Sequence, residues 1–476
     1  MQINDFLVVF YWIVTATVFL RIIFKRRPVA SSLAWVLIII VFPILGVLVY
    51  LFFGEIQLGK RRAARARALR TPFLENYTKY LKNHSSESPV GHAGKAIYQL
   101  LMQRDGIGSL GYSNLSVLSK PDDIFDAWIT DINNAQRDIR MEFYIWHPHG
   151  RVVDVTNALI EAVDRGVSVE ILVDHAGSWP FFMFSKDVKR MREHGIKLLP
   201  ALPVNVFRNL FRRADLRLHR KLLVIDHLIC YSGSMNMADP RYFNSRKSFG
   251  PWIDMMLRFD GAAAFGVSKV FSWDWELESG ERNFPQVKDT IPESIHHLSI
   301  IPSGPGQGEG VIHQIMLSIL HRANDSITIT TPYFVPSEAI FEALCHAARR
   351  GVHVCIVLPR ISDSRMASFA SQSFFDGLLS AGVEIRLFSR GLLHSKAVIV
   401  DEELALVGSM NIDMRSLQLN FELSFALYNP NDCKQVCTLM QEYYQESTAI
   451  DAKAWAQRPR YRRAAERFMS FLSPLL

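Results

Sequence analysis

The sequence predicts an α/β protein with two N-terminal transmembrane helices followed by a duplicated α/β unit that packs as a pseudo-dimer. Three observations predict it. Two apolar runs lie at about 6–24 and 33–53. Beyond about residue 75, strand-like and amphipathic helical segments alternate. Finally, HRKLLVID at 219–226 returns as HSKAVIVD at 394–401, and each copy is followed by GSMN, at 233–236 and 408–411.

The apolar runs come first. FLVVFYWIVTATVFLRIIF and LAWVLIIIVFPILGVLVYLFF each meet the roughly 20 residues a helix needs to cross a bilayer. A signal peptide followed by a core helix is the alternative. Against it, the leading MQIND carries no basic residue and no small-residue cleavage site precedes the next run. Arg21 can snorkel to headgroups and Pro43 can kink the second span. Lys25, Arg26 and Arg27 lie between the runs, and KRRAARARALR at 60–70 carries six basic residues. The larger cluster predicts a cytoplasmic N-tail and a cytoplasmic catalytic part. Beside a span, that cluster suits anionic headgroups better than a merely solvated helix.

The soluble part contains a repeat. DIRMEFYIWHP (138–148) and ALIEAVDRGVSVEILVD (158–174) resemble SITITTPYFVP (326–336) and ALCHAARRGVHVCIVLP (343–359). Each pair reads strand, turn, amphipathic helix, glycine (Gly166, Gly351) and buried strand. EHGIKLLP (193–200) and SAGVEIRLF (380–388) follow, and then the His–Lys motif. Alternation of this kind predicts a largely parallel or mixed sheet covered by helices. The expected organisation is a membrane anchor at 1–58, a basic juxtamembrane linker at 59–110, and halves at 111–285 and 286–476. A site at the interface would draw one motif from each half.

Composition excludes a disordered chain, with 49% hydrophobic and 21% charged residues. Six of the seven net positive charges sit in the 60–70 run, so a uniformly basic nucleic-acid binder is not indicated. The five cysteines (Cys230, Cys345, Cys355, Cys433, Cys437) show no metal-like spacing and read as reduced thiols.

The motifs carry the chemistry. Leu222–Ile225 reads as a buried strand, and His219 and Lys221, two apart on its leading edge, point to one side. Asp226 falls at the far end, where it acts in structure or electrostatics. The GSMN turn brings Ser234 and Asn236 back towards the histidine. In the second half the same argument places His394, Lys396, Ser409 and Asn411 at the mouth and Asp401 behind. Two lysines with two Ser/Asn pairs suit the non-bridging oxygens of a phosphodiester. One histidine can attack phosphorus while the other exchanges protons with the leaving and entering alcohols. No metal or cofactor is required.

These residues resemble the phospholipase D superfamily, whose signature is a pair of HxKxxxxD…GSxN motifs. Along nearly the whole chain the sequence is similar to the A-type bacterial cardiolipin synthases, through RRPVASSLAW, GEIQLGKRRA, FYIW, GSMNMADPRYF, TPYFVPS, LLHSK, MNIDMRSLQLNFE and FLSPLL. The resemblance implies a phospholipase D-like α/β/α pseudo-dimer with His219, Lys221, Asp226, His394, Lys396 and Asp401 at its centre. It implies His219 as nucleophile and His394 as general acid/base, an order the residues themselves leave open. It also implies that Asp254 orients His394 and that Glu422 orients His219. The implied reaction transfers a phosphatidyl group from one phosphatidylglycerol to another, giving cardiolipin and glycerol through a phosphohistidine. Phosphatidylglycerol and other membrane phospholipids are the implied partners, nucleic acid is not, and the implied location is a bacterial inner membrane, multi-pass. Oligomeric state is left open.

Other stretches fit work at a bilayer. FRNLFRRADLRL (207–218) suits an interfacial lip or a solvated helix end, and RYRRAAERFMSFLSPLL (460–476) suits a membrane-lying tail or packing on the domain. WDWE (273–276) reads as core and interface packing. The rivals are a phospholipase D hydrolase with water as acceptor, a nuclease, and a scaffold with a dead site.

Overall fold

A computed structural model describes residues 3–24, 29–54, 62–66, 68–69, 71, 75, 92–106, 108–204, 215–244, 249–284, 294–306 and 310–470. Parts of the 60–70 run, residues 207–214, the 285/286 boundary and the terminal FLSPLL lie outside the described residues. The chain divides into two compact units: residues 1–64 with 204–216, and residues 65–203 with 217–476.

The described helices of the first unit correct an expectation. Among the described residues no helix is long and apolar enough to cross a membrane. The second apolar run does not form one helix. It stops at Phe42, whose backbone leaves helical geometry (φ −125°, ψ 75°), and restarts with Pro43 in the first turn of the next helix. Proline has no N–H to continue the ladder and clashes with the preceding turn. The products are Val29–Val41, 13 residues, and Pro43–Phe53, 11 residues. At about 1.5 Å per residue each falls well short of the roughly 30 Å hydrocarbon core. The first helix, Ile3–Phe24, carries Asp5 near its start and Arg21 in its last turn, and only residues 6–20 between them are uncharged. The expected pair of transmembrane helices is not found among the described residues, and a multi-pass anchor is not confirmed. Val18, Ile22, Ile39, Val47 and Tyr50 pack together instead, and Trp12, Ile23, Leu33, Leu37, Ile40 and Ile44 are exposed.

The second unit is the duplicated α/β structure. Its first sheet runs, in spatial order, 115–118, 256–260, 229–233, 222–225, 138–143, 168–174 and 197–201. The second sheet repeats that order with 296–303, 422–427, 404–408, 397–400, 326–330, 353–359 and 384–388. Leu110–Tyr112 and Ser447–Ala449 extend its two edges. In each sheet three strands are parallel and the rest antiparallel.

Register follows the apolar pattern. Ile139 and Met141 lie beside Val169 and Ile171, and Ile327 and Ile329 beside Val354 and Ile356. These side chains form cores with the amphipathic helices Pro121–Asn134 and Arg151–Asp164 in the first half, and Val311–Arg322 and Glu338–Arg349 in the second. The helix Ala262–Ser279 meets strands of both sheets, so it is buried nearly all round, WDWE included. Its Ser268 and Ser272 hydroxyls accept from the buried Arg140 guanidinium at 3.1 and 2.8 Å.

Candidate active site

Two short cross-connections bring the motifs together. The His219 N–H donates to the carbonyl of Phe421 (2.9 Å), and the Phe421 N–H donates to that of Arg217 (2.9 Å). In the mirror arrangement Leu392 and Leu393 pair in parallel with Trp252 and Ile253, and the His394 N–H donates to the carbonyl of Ile253 (2.8 Å). Each histidine therefore arrives next to the acid that follows its partner strand. His219 Nδ1 sits between the Glu422 oxygens at 2.9 and 3.0 Å, and His394 Nδ1 is 2.6 Å from Asp254. The pairs are crossed: each half supplies one histidine and the acid for the other.

The GSMN serines hold these acids. The Ser234 hydroxyl donates to Asp254 at 2.6 Å and accepts from the Met255 N–H at 2.9 Å. The Ser409 hydroxyl donates to Glu422 at 2.5 Å and accepts from the Leu423 N–H at 3.0 Å. The glycine before each serine lies under the same strand. A Cβ on Gly233 would collide with the Met255 carbonyl, and one on Gly408 with that of Leu423. The Asn420 side-chain NH2 donates to the Glu422 carboxylate at 3.3 Å.

Burial sets the protonation. It pushes both imidazoles down to about 4, against the pull of their carboxylates and with a further push from the lysines. Burial opposes ionisation of Asp254 and Glu422 as well, but the paired histidine and the nearby lysine hold both below their ordinary values. At neutral pH the site holds two neutral imidazoles, each with an ionised carboxylate on Nδ1. That carboxylate fixes the tautomer with hydrogen on Nδ1, so Nε2 has the free lone pair.

The lysines lie behind the histidines. The Lys221 and Lys396 ammonium groups donate to the carbonyls of His219 and His394 at 2.7 and 2.5 Å. Burial lowers Lys221 well below its ordinary value and Lys396 to about 8. Neither lysine lines the cavity.

The motif aspartates stand away from the cavity. Asp226 accepts from the N–H groups of Gln136, Arg137 and Asp138 at 2.7–3.0 Å, and Asp401 from those of Asn324, Asp325 and Ser326 at 2.8–2.9 Å. Both occupy left-handed backbone, φ 52° and 53°, which aspartate tolerates better than most residues. Each clamps the chain entering the first of the three parallel strands of its half, 138–143 and 326–330.

A cavity of about 540 Å³ opens between the two histidines and is also lined by Asn236 and Asn411. The Asn236 Oδ1 accepts from the Ile145 N–H at 3.1 Å, which leaves its NH2 for a ligand. The walls differ. Trp252 lies 4.1 Å from the His394 ring, centroid to centroid, whereas Tyr144 meets His219 edge-on at 5.2 Å. Sequence reasoning named neither ring, nor Arg217, Asn420 and Arg415 in the same wall. One signal was present: Trp252 and Asn420 each stand two residues before the acid of a crossed pair. Among the described residues no group of three or more His, Cys, Asp or Glu is arranged to hold a metal ion.

Fold and site together define a duplicated phospholipase D-like protein. Residues 128–248 and 316–446 match the family described as "Cardiolipin synthase, PLD-like domain", and residues 13–55 match a phospholipase D-nuclease N-terminal family. The chain is 44% identical over 483 residues to cardiolipin synthase A of Klebsiella pneumoniae subsp. pneumoniae, covering 100% of this chain and 99% of that protein. It is 43% identical over 474 residues to cardiolipin synthase A of Wigglesworthia glossinidia brevipalpis, covering 98% and 95%. The crystal structure of phosphatidylserine synthase from Haemophilus influenzae Rd KW20 shares the fold, with a TM-score of 0.59 over 80% of this chain and 99% of that one, at 13% identity. The chain belongs to the cardiolipin synthase family of the phospholipase D superfamily.

Proposed function

We propose that the protein transfers a phosphatidyl group from one phosphatidylglycerol to the free glycerol hydroxyl of another, giving cardiolipin and glycerol. The observation that carries the reading is the pair of crossed histidine–carboxylate contacts facing one cavity, in a chain 44% identical to cardiolipin synthase A along its length.

In the first step His219 Nε2 attacks phosphorus. The bond from phosphorus to the glycerol oxygen breaks, and His394 Nε2 gives that oxygen a proton. Burial keeps His394 neutral before substrate enters. The entering phosphodiester anion favours its protonated form, as any nearby negative charge does. In the second step His394 takes the proton of the incoming hydroxyl, whose oxygen attacks phosphorus and breaks the phosphorus–nitrogen bond. Lys221 and Lys396 supply positive charge to the phosphoryl oxygens from behind, and Asn236 and Asn411 supply amide donors. Glu422 and Asp254 stabilise each imidazolium as it forms. Asp226 and Asp401 hold the loops that set the strands in place.

The phospholipid substrates reach this cavity from a bilayer. The exposed apolar side chains of residues 12–45 support attachment to a membrane surface, and a bacterial membrane is the location that fits the relatives' source organisms. We take the functional halves as 111–285 and 286–476.

The test is a product assay with purified protein, phosphatidylglycerol vesicles and a chelator. Cardiolipin and glycerol in equal amounts support the reading. Phosphatidic acid in place of cardiolipin makes water the acceptor and overturns it in favour of a hydrolase.

A further inference from the structure

The crossed pairs are symmetric, but the cavity around them is not. Its asymmetry is legible by counting from the motifs. Arg217 stands two residues before His219, where the second half has Leu392 before His394. Arg415 stands four residues after Asn411, where the first half has Pro240 after Asn236. Both arginines are partly buried and both line the cavity.

The backbone brings them to one wall. The Arg217 carbonyl accepts from the Phe421 N–H at 2.9 Å, and the Arg415 carbonyl accepts from the N–H groups of Leu419 and Asn420 at 2.7 and 2.8 Å. The arginines thus hang from the same stretch, 419–421, immediately before Glu422. Burial and the charge of Asp174 raise the Tyr144 hydroxyl in that wall, and the charges of both arginines act against them. Each arginine has an acid near it: Asp174, which accepts from the N–H groups of Ala176, Gly177 and Leu218, also feels the charge of Arg217, and Asp413, which accepts from the N–H of Ser416, feels that of Arg415. The opposite wall, at His394, presents Trp252.

A transfer between two phosphatidylglycerols brings two phosphates to the site, and only one of them reacts. The lysines and histidines account for the reacting phosphate. The other belongs to the acceptor and is joined through its glycerol to the attacking hydroxyl. We propose that Arg217 and Arg415 form the subsite for this unreacting phosphodiester, so that the cavity selects an anionic lipid over water or a neutral alcohol as acceptor. Arginine suits the task because its planar guanidinium offers paired donors to phosphate oxygens. The proposal rests on the transfer reading above.

Two reactions of the full-length protein in phosphatidylglycerol vesicles separate the subsite from the chemistry. Cardiolipin formation needs the acceptor phosphate. Exchange of isotope-labelled free glycerol into phosphatidylglycerol uses the same phosphohistidine but an acceptor with no phosphate. Arg217→Gln and Arg415→Gln are each expected to lower cardiolipin formation roughly tenfold more than glycerol exchange, the scale of a lost charge-assisted hydrogen bond, with Arg415→Lys recovering part of the difference. Glycerol exchange also reports that the variants are folded. A parallel fall in both reactions, or no change in either, overturns the subsite. A wild-type protein that exchanges glycerol but forms no cardiolipin removes the transfer reading itself, and the proposal with it.

Discussion

Glu422 and His219 stand 203 residues apart in the chain, yet the Glu422 carboxylate lies 2.9 Å from the histidine's Nδ1. The contact joins the two halves, as does that of Asp254 with His394. An acid so placed orients the ring and stabilises its cation without touching substrate. Glu422→Gln keeps the shape but removes the charge and offers an amide NH2 to Nδ1, which favours the wrong tautomer. The expected result is a loss of about a hundredfold or more in kcat, with the melting temperature moved by a few degrees at most. A loss confined to KM would show that Glu422 acts on binding instead.

The two histidines are expected to differ in covalent chemistry. A phosphatidyl ester of p-nitrophenol leaves without protonation, so its first step does not need the general acid. With that donor, His394→Ala should accumulate a phosphatidyl adduct on His219, because removal of the adduct still needs a base. His219→Ala should form none. Mass spectrometry of protein quenched after a brief reaction reads the difference. An adduct on His394 in the His219→Ala variant would reverse the assignment.

Asp226 should matter to stability and little to chemistry. Its carboxylate accepts three backbone N–H groups at the entry to strand 138–143. Asp226→Ala leaves them without their acceptor and places alanine in left-handed backbone. A cost of about 2–4 kcal/mol follows from lost charge-assisted bonds and strain. Asp226→Asn, which keeps one acceptor oxygen and tolerates the backbone, should cost about half as much. Thermal melts compare the two. A loss of kcat in folded Asp226→Asn protein, with no loss of stability, would place Asp226 in the chemistry.

Much of this site was legible in the sequence because duplication writes it twice. One His–x–Lys on a strand edge says little, whereas two copies with equal spacing to GSMN define a centre. The repeat of helix, glycine and buried strand likewise announced a largely parallel or mixed sheet, and three strands of each sheet are parallel. The contacts across the halves were different. Spacing placed the GSMN serines near the substrate phosphate, but their hydroxyls donate to Asp254 and Glu422, a partnership set by strands far apart in the chain. Arg220 was passed over between two motif residues. It pairs with Asp274 and donates to the Glu422 carbonyl at 3.1 Å, which no local pattern reveals. The second apolar run misled for a physical reason: Pro43 reads as a kink within one span, but the chain breaks at Phe42–Pro43 and makes two short helices.

Lys396 gives the pH dependence. Burial is the largest influence on its ammonium group and lowers it to about 8, against the pull of Asp254 and Glu422. Burial drives Lys221 in the same direction. A lysine is charged below its pKa, so the positive charge behind the phosphoryl oxygens is intact in acid and fades as pH rises through about 8. In kcat/KM, which reports the free enzyme, cardiolipin formation should therefore decline above that pH. Bound phosphodiester favours the charged lysine, so the decline in kcat should lie at higher pH. Lys396→Arg keeps its charge throughout and should move the kcat/KM decline upward, even if its bulk lowers the maximum. A wild-type profile flat well beyond pH 8, or an identical decline in the arginine variant, would show that Lys396 does not supply this charge.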